Sequence, residues 1–295
     1  MSEVGLGCNN FGARLDLAQT RAVVEAALDA GITFLDTADI YGSGGGSERF
    51  LGEILEGRRD EVVIATKFGW DLMSDTNALR GSATYAKQAI EASLERLRTD
   101  YVDLYYYHRP DGVTPFEETL GAMHELVVEG KARHIGCSNL TAQQLREAHG
   151  IGSRTGSTPI VALQNEYSLL ERSAEDDVLP LCRELGIGFV PYFPLASGLL
   201  TGKYRRGEPA PSGSRLEGRA DRLNDERFDR IEELARFAET RGHTLLELAI
   251  GALASTPGVA SVIAGATTPE QARANAAAGS WKLSADELSE LATLH

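Results

Sequence analysis

The stretch Tyr85-Ala-Lys-Gln-Ala-Ile-Glu-Ala-Ser-Leu-Glu-Arg-Leu97 is followed closely by Tyr101-Val-Asp-Leu-Tyr-Tyr-Tyr107. In the first part Ala86, Ile90 and Leu97 share the spacing of one helix face, which predicts an amphipathic helix. The second part is a short aromatic and aliphatic run, which is typical of a buried strand. A helix followed so closely by a buried strand favours a parallel sheet that is covered by helices.

The same alternation extends along the whole chain of 295 residues. Eight apolar runs predict strands: Val4–Cys8, Ile32–Leu35, Val62–Thr66, Tyr101–Tyr107, His134–Cys137, Ile160–Gln164, Gly188–Tyr192 and Ser261–Gly265. Helical segments are predicted at Leu17–Ala30, Tyr85–Leu97, Phe116–Glu129, Ala174–Leu185, Arg227–Gly242 and Thr244–Ser255. Eight repeats in this length predict an α/β fold, the (β/α)8 TIM barrel. We expect one catalytic domain over residues 1–295, with a long βα loop around residues 198–225.

Two other architectures fit the sequence less well. A doubly wound open sheet usually has a glycine-rich turn after its first strand, but here Gly5-Leu-Gly7 is followed by Asn10 where the third glycine is needed. A two-domain arrangement requires a linker, for which the irregular segment Lys203–Asp225 is the candidate. We interpret that segment as a functional loop within one barrel.

Composition and charge exclude several classes of protein. The formal net charge is −14, which argues against broad binding to nucleic acids or to anionic membranes. The three cysteines, Cys8, Cys137 and Cys182, are too few for a disulfide framework, so we expect a reducing, cytoplasmic environment. No apolar run is long enough to span a membrane, and the first residues do not resemble a signal peptide.

Four ionisable residues follow successive predicted strands. Asp36 and Tyr41 come after the second strand, Lys67 after the third and His108 after the fourth. In a barrel these positions share one rim, where active sites of this fold lie. Each residue alone has an ordinary structural explanation, but together they form a working set. A lysine that is anchored by a carboxylate can lower the pKa of a nearby tyrosine and so favour proton transfer.

The residues around this set resemble the aldo-keto reductase family. The similar stretches are Gly31–Gly42, Ser47–Gly52, Ala65–Gly69, Asp103–Pro110, Ile135–Asn139, Leu163–Ser168, Pro194–Lys203 and Ile263–Gln271. The resemblance implies that Asp36, Tyr41, Lys67 and His108 are the catalytic tetrad of the family. It further implies hydride transfer from a nicotinamide cofactor to a carbonyl carbon, with Tyr41 as the proton donor. His108 is expected to orient the carbonyl and to help carry the proton.

The resemblance also implies a set of cofactor contacts. Ser138, Asn139 and Gln164 match residues that bind the carboxamide, and Tyr192 matches an aromatic residue that stacks on the nicotinamide ring. Residues matching the segment around the pyrophosphate are Leu195, Ser197, Gly198, Leu199 and Lys203. Gly265 and Thr267 lie in the loop after the last strand, and Gln271 and Asn275 match contacts to the adenosine.

The loop after the last strand departs from the family pattern. Thr268-Pro-Glu-Gln271 predicts a capping box with proline at the first helical position, and a helix N-terminus suits a phosphate. The loop lacks the lysine or arginine that many relatives use for the 2′-phosphate, and Arg273 is the nearest cation. We therefore expect NADP(H) as the cofactor, with NAD(H) possible. The first residues also imply that a hairpin below the barrel is short or missing.

Three functions are consistent with this sequence. The first is an NAD(P)H-dependent reductase of aldehydes and ketones, with a small carbonyl compound as the substrate. The second is a Schiff-base aldolase with Lys67 as the nucleophile, which pairing with Asp36 disfavours because the amine stays protonated. The third is a regulatory subunit that holds the cofactor with little turnover. The sequence indicates neither the physiological substrate nor the oligomeric state.

Overall fold

The computed structural model describes residues 1–70 and 79–294. Eight parallel strands form one sheet in the order β7-β6-β5-β4-β3-β2-β1-β8. They are β1 (Val4–Gly7), β2 (Phe34–Asp36), β3 (Val63–Phe68), β4 (Val102–Tyr107), β5 (Ala132–Ser138), β6 (Ile160–Glu166), β7 (Gly188–Tyr192) and β8 (Val262–Gly265). Phe189 of β7 closes the ring, because its N–H donates to Gly258 and its carbonyl accepts from Ala260. The predicted (β/α)8 barrel is confirmed.

Helices cover the outside of the strands. They are α1 (Leu17–Asp29), α2 (Tyr41–Ile54), α3 (Ala83–Leu97), α4 (Phe116–Val128), α5 (Ala142–Thr155), α6 (Val178–Leu185), α7 (Asp225–Glu239), α8 (Leu245–Ser255), α9 (Pro269–Ala278) and α10 (Ala285–Thr293). Reciprocal capping boxes at Asp16, Thr141, Thr244 and Ser284 fix where four of them begin. Within residues 1–70 and 79–294, no helix combines the length and apolar character needed to cross a bilayer.

Several helical segments differ from the sequence prediction, including α5 and α10, which were not predicted. The segment predicted at Ala174–Leu185 divides into a 3-10 turn at Ser173–Glu175 and α6, which starts only at Val178. Pro180 explains the break, because a proline fits the first turn of a helix but not its interior. Helix α2, which was not predicted, contains four residues from Gly42 to Gly45 with positive φ. Glycine tolerates this conformation, so the segment turns sharply after Tyr41.

The barrel interior is filled by side chains from six of the eight strands. This interior cluster consists of Phe34, Ala65, Leu104, Tyr106, Ala162, Val190 and Ile263. Tyr106 lies across Gly136 of β5, where a Cβ atom would come within 2.7 Å of the Tyr106 ring. The phenol therefore occupies the space that a larger residue on β5 would fill. This packing gives a role to the middle of the Tyr105–Tyr107 run.

A buried ion-pair network stabilises the end of the barrel where the strands begin, near the start of β4. Asp103 lies 2.7 Å from Arg59 and 3.1 Å from Arg133, and it accepts the backbone N–H of Ile64 at 2.9 Å. Both guanidinium groups lie over the Tyr101 ring, at 4.2 Å and 4.0 Å from its centroid. The carboxylate thus joins β3, β4 and β5.

We predict that Asp103→Ala destabilises the barrel by about 3 kcal/mol, because the change leaves a buried guanidinium and a buried N–H unpaired. Thermal denaturation measures the loss. Arg133→Ala is the matched control, since the Arg133 side chain is mostly exposed and its removal should cost less than about 1 kcal/mol. Equal losses in the two variants would contradict a role for Asp103 as the centre of the network.

Candidate active site

The four side chains predicted from the strand ends meet at one rim of the barrel. Asp36 is the last residue of β2, Lys67 lies in β3, and His108 directly follows β4. Tyr41 begins α2, after the short segment that leaves β2. Because the strands are parallel, their carboxyl ends bring these groups together. The prediction that these four residues share one rim is therefore confirmed, while their catalytic roles stay predictions.

An ion pair between Asp36 and Lys67 lies at the centre of the rim. The ammonium nitrogen is 2.5 Å from Asp36 Oδ1 and donates to the carbonyl of Thr37 at 2.7 Å. The Lys67 side chain is fully buried, and that of Asp36 is 2% exposed. Burial alone would lower the pKa of Lys67, but the Asp36 carboxylate and Tyr41 together outweigh this effect, and the pKa is raised. Lys67 is thus an ammonium ion at neutral pH.

Tyr41 lies against this ammonium ion. Lys67 Nζ is 5.1 Å from the centroid of the Tyr41 ring, and the His108 ring meets it edge-on at 5.9 Å. Burial raises the pKa of Tyr41 above its usual value, and the charge of Lys67 opposes that rise only in part. Lys67 lowers this pKa, in the direction that the sequence indicated, but the desolvation of the phenolate is the larger effect. Tyr41 is therefore a protonated phenol at neutral pH.

His108 is a neutral imidazole. Burial, with the nearby charge of Lys67, holds its pKa well below the usual value. Its Nδ1 atom is buried and has no hydrogen-bond partner. Trp70 packs edge-on against the ring at 4.7 Å, and the guanidinium of Arg109 lies 5.7 Å from the Trp70 centroid. A neutral ring in this position suits the orientation of a polar ligand atom better than the supply of a proton.

Polar side chains from β5, β6 and β7 continue the rim. Ser138 Oγ donates to the carbonyl of Gln164 at 2.6 Å, and Asn139 Nδ2 donates to the carbonyl of His108 at 3.0 Å. Tyr192 donates its hydroxyl proton to Asn139 Oδ1 at 2.8 Å. Gln164 Nε2 donates to Asp36 Oδ2 at 2.8 Å, a contact that the sequence did not predict. All four proposed nicotinamide contacts therefore belong to one hydrogen-bonded network.

The segment after β7 has an unusual backbone. Phe193, Ala196, Ser197 and Gly198 all have positive φ, and the segment Ala196–Thr201 forms an irregular 3-10 turn. Lys203 folds back over it, since a Cβ atom on Gly198 would lie 2.8 Å from Lys203 Nζ. A tight turn with a lysine above it is suited to an anionic ligand. The segment also contains Leu195 and the buried Leu199.

The loop after β8 differs in detail from the predicted capping box. Thr268 does cap α9, because its side chain accepts the N–H of Gln271. The Gln271 side chain, however, accepts the N–H of Thr267 at 2.8 Å, so the reciprocal half of the box is displaced by one residue. Asn275 is buried and donates to the carbonyl of Gly265 at 3.3 Å. Gln271 is exposed at the surface of this loop.

Arg215 is a candidate ligand-binding residue that sequence reasoning missed. It lies in the long loop after β7, with its guanidinium 5.5 Å from the Phe193 centroid and 3.5 Å from Asn10 Oδ1. Asn10 in turn donates to the carbonyl of Ala266 in the loop after β8, at 3.3 Å. Burial and the charge of Arg14 lower the pKa of Arg215. The long loop thus places a partly buried cation above the rim, between the ends of β7, β8 and β1.

Comparison with known proteins agrees with this geometry. The sequence profile described as the aldo/keto reductase family matches residues 3–295. The chain belongs to the aldo/keto reductase family. Proteins of this family are, in general, oxidoreductases that bind NAD(P)H.

Two plant relatives of this aldo/keto reductase are named as channel subunits. A "Probable voltage-gated potassium channel subunit beta" from Oryza sativa subsp. japonica is 38% identical over 271 residues, covering 88% of this chain and 82% of the relative. A protein of the same name from Arabidopsis thaliana is 37% identical over 274 residues, with 90% and 83% covered. The similarity therefore extends over most of the chain.

A second carboxyl group near Tyr41 is perturbed. Asp39 Oδ1 is buried without a hydrogen-bond partner, while the backbone N–H of Asp39 donates to the carbonyl of Lys67 at 3.1 Å. Glu48 is fully buried and is already bonded to Thr66 and, through an ion pair, to Arg96. Burial and the charge of Glu48 raise the pKa of Asp39 to about 7, against the opposing charge of nearby arginines.

Asp39→Asn should change how stability depends on pH. Between the usual carboxyl pKa and about 7, only the native state keeps the Asp39 proton, so the stability of the unmodified protein falls as pH rises through that window. Because asparagine cannot ionise, the variant should melt at a higher temperature above neutral pH and at the same temperature near pH ~4. Thermal melting across pH measures this, with Asp100→Asn at an exposed position as the control. A difference in melting temperature between Asp39→Asn and the unmodified protein that is the same at every pH would contradict the raised pKa of Asp39.

Proposed function

We propose that residues 1–295 form a single catalytic domain that uses NADP(H) to reduce aldehydes or ketones to alcohols, with Tyr41 as the general acid. One observation carries the proposal: a fully buried ammonium, Lys67, is paired with Asp36 and lies beside the phenol ring of Tyr41. A charged lysine in this position stabilises the phenolate that remains after Tyr41 has given up its proton.

The chain supplies proton transfer and orientation. When bound, the cofactor supplies a hydride to the carbonyl carbon. Tyr41 donates its hydroxyl proton to the developing alkoxide oxygen, and Lys67 stabilises the resulting phenolate. His108, kept neutral by burial and by Lys67, orients the carbonyl oxygen beside Tyr41. Two donors aimed at one oxygen lower the barrier by a few kcal/mol, roughly the effect of an oxyanion hole.

The residues of the rim fit a dinucleotide. Ser138, Asn139 and Gln164 offer a hydroxyl and two amides to a carboxamide, and Tyr192 offers a half-buried ring for stacking. Residues proposed to bind the pyrophosphate are Leu195, Ser197, Gly198, Leu199 and Lys203, while Arg215 is joined through Asn10 to the loop after β8. At the adenosine end the proposed contacts are Gly265, Thr267, Gln271 and Asn275. The N-terminus of α9 adds a favourable dipole for a phosphate group.

A second candidate function is favoured by the names of the relatives, which describe channel subunits. In this case the protein would hold the cofactor and act mainly through a protein partner. A steady-state assay with an aldehyde panel distinguishes the two functions, because a subunit of this type shows little turnover.

The Schiff-base aldolase is disfavoured by the raised pKa of Lys67, which keeps the amine protonated and not nucleophilic. The three cysteines are buried free thiols, which supports a reducing, cytoplasmic location.

Tyr41→Phe should lower the rate of aldehyde reduction by roughly a hundredfold or more, the usual contribution of a general acid. Cofactor affinity, measured by fluorescence titration, should stay within a few-fold because the ring is retained. Tyr101→Phe, at the opposite end of the barrel, is the control and should keep its activity. Near-full activity of the Tyr41 variant would exclude this residue as the proton donor.

NADPH should bind more tightly than NADH, since α9 and two arginines face the region proposed for the 2′-phosphate. Arg273 is exposed and only 4.0 Å from Glu270, so its contribution competes with an ion pair. We expect Arg273→Ala or Arg215→Ala to weaken NADPH by about tenfold, as for one charge-assisted contact. If one of these arginines contacts only the 2′-phosphate, its replacement should leave the affinity for NADH nearly unchanged. The two variants therefore identify which arginine binds that phosphate.

Arg146→Ala, at an exposed ion pair on α5, is the matched control for both arginine variants. If NADH binds the unmodified protein as tightly as NADPH does, the missing cation in the loop after β8 decides the preference, and the proposed phosphate site is wrong.

A further inference from the structure

Both oxygens of the Asp36 carboxylate have a donor. Oδ1 is bonded to the ammonium of Lys67 at 2.5 Å, and Oδ2 accepts Gln164 Nε2 at 2.8 Å. The carboxylate and the amide are each 2% exposed, so water does not replace a lost donor. The orientation of Asp36 is therefore fixed from two sides, by β3 and by β6.

The bond between Gln164 and Asp36 crosses the mouth of the barrel. In the strand order, β6 and β2 are four positions apart, which places them on opposite sides of an eight-stranded ring. The main chain of Gln164 is held by the strand ladder, because Gln164 pairs with Ser138 of β5 and Val190 of β7, and its carbonyl accepts the N–H of Asn139 at 3.1 Å. A long side chain that spans the ring from a fixed backbone has little freedom to release its partner.

The charge of Asp36 acts against proton release by Tyr41. Burial is the main cause of the raised pKa of Tyr41; Lys67 lowers this pKa, and Asp36 raises it again. An N–H donor on Oδ2 draws the negative charge of the carboxylate away from the phenol and towards β6. Loss of that donor leaves more of the carboxylate charge to oppose ionisation of Tyr41.

We propose that Gln164 is a positioning residue that holds Asp36 and thereby tunes proton donation by Tyr41. This inference rests on the proposed function, in which the same amide also contacts the cofactor carboxamide. Gln164 then links the site of hydride transfer to the site of proton transfer, since its side chain contacts both the proposed cofactor site and Asp36. Asp36 in turn holds Lys67 beside Tyr41. The neighbouring Tyr192–Asn139 bond belongs to the cofactor side alone.

The test separates the two contacts of Gln164. Gln164→Met keeps the length of the side chain and removes the donor to Asp36. Ser138→Ala is the matched control, because Ser138 lies at the same cofactor site and bonds only to the backbone of Gln164 and to Asn139. Gln88→Met, at an exposed position of α3, controls for the substitution itself. Fluorotyrosine incorporated at position 41 has a phenol pKa below that of tyrosine, so the group titrates at a lower pH. It also gives a fluorine NMR signal from this one site.

In the protein without cofactor, Gln164→Met should raise the titration midpoint of residue 41 by about one pH unit. With the natural tyrosine at position 41, the kcat of Gln164→Met at saturating cofactor should fall about tenfold. Its pH profile should shift to higher pH. Ser138→Ala should weaken cofactor binding and leave the midpoint unchanged. Thermal melting and circular dichroism establish that each variant is folded.

Gln164→Glu provides a conditional rescue. While its new carboxyl group is protonated, at the lower end of the pH range, it can donate to Asp36, and kcat should approach that of the unmodified protein. Once it is ionised, kcat should fall below that of the methionine variant, and the midpoint of residue 41, which is reached at higher pH, should rise further. The inference is overturned if Gln164→Met weakens the cofactor while the midpoint stays unchanged, or if glutamate and methionine behave alike at every pH. Because the titration requires no turnover, an inactive protein that shows the shift argues against the proposed reaction and not against this role of Gln164.

Discussion

The buried ion pair of Lys67 and Asp36 is the constraint on which the candidate site depends. Removing both charges from water carries a large desolvation cost, which is offset only if every donor and acceptor is satisfied. The structure meets this condition with the carbonyl of Thr37 on one side and Gln164 on the other. Three strands, β2, β3 and β6, must therefore hold their register for the charge to be tolerated. The position of Tyr41 beside the ammonium follows from the same geometry.

The two ends of the barrel use buried charge in different ways. At the end where the strands begin, Asp103 is surrounded by two guanidinium groups and a backbone donor, which fixes adjacent strands. At the other end a single ammonium is shared between a carboxylate and the face of a phenol. The first arrangement leaves no group available for chemistry. The second leaves a phenol and a neutral imidazole at the rim, where a ligand can reach them.

Much of this arrangement could be predicted from the sequence. Asp36, Lys67 and His108 end apolar runs, and parallel strands bring such positions to one rim. The contact between Gln164 and Asp36 could not be predicted, because it joins opposite sides of the ring over 128 positions of sequence. The position of Arg215 depends on the path of an irregular loop. The net direction of the Tyr41 pKa could not be predicted, because desolvation depends on burial, which no local pattern reports.

The charge of Lys67 is the central claim, and nitrogen NMR of the lysine side chains measures it directly. The chain has five lysines, so Lys67→Met suffices to assign the signal. The account predicts that Lys67 stays an ammonium ion above the pH at which the exposed lysines lose their protons, because Asp36 and Tyr41 together outweigh the effect of burial. A signal from Lys67 that titrates at or below neutral pH would contradict the account, since a neutral amine cannot stabilise the phenolate of Tyr41.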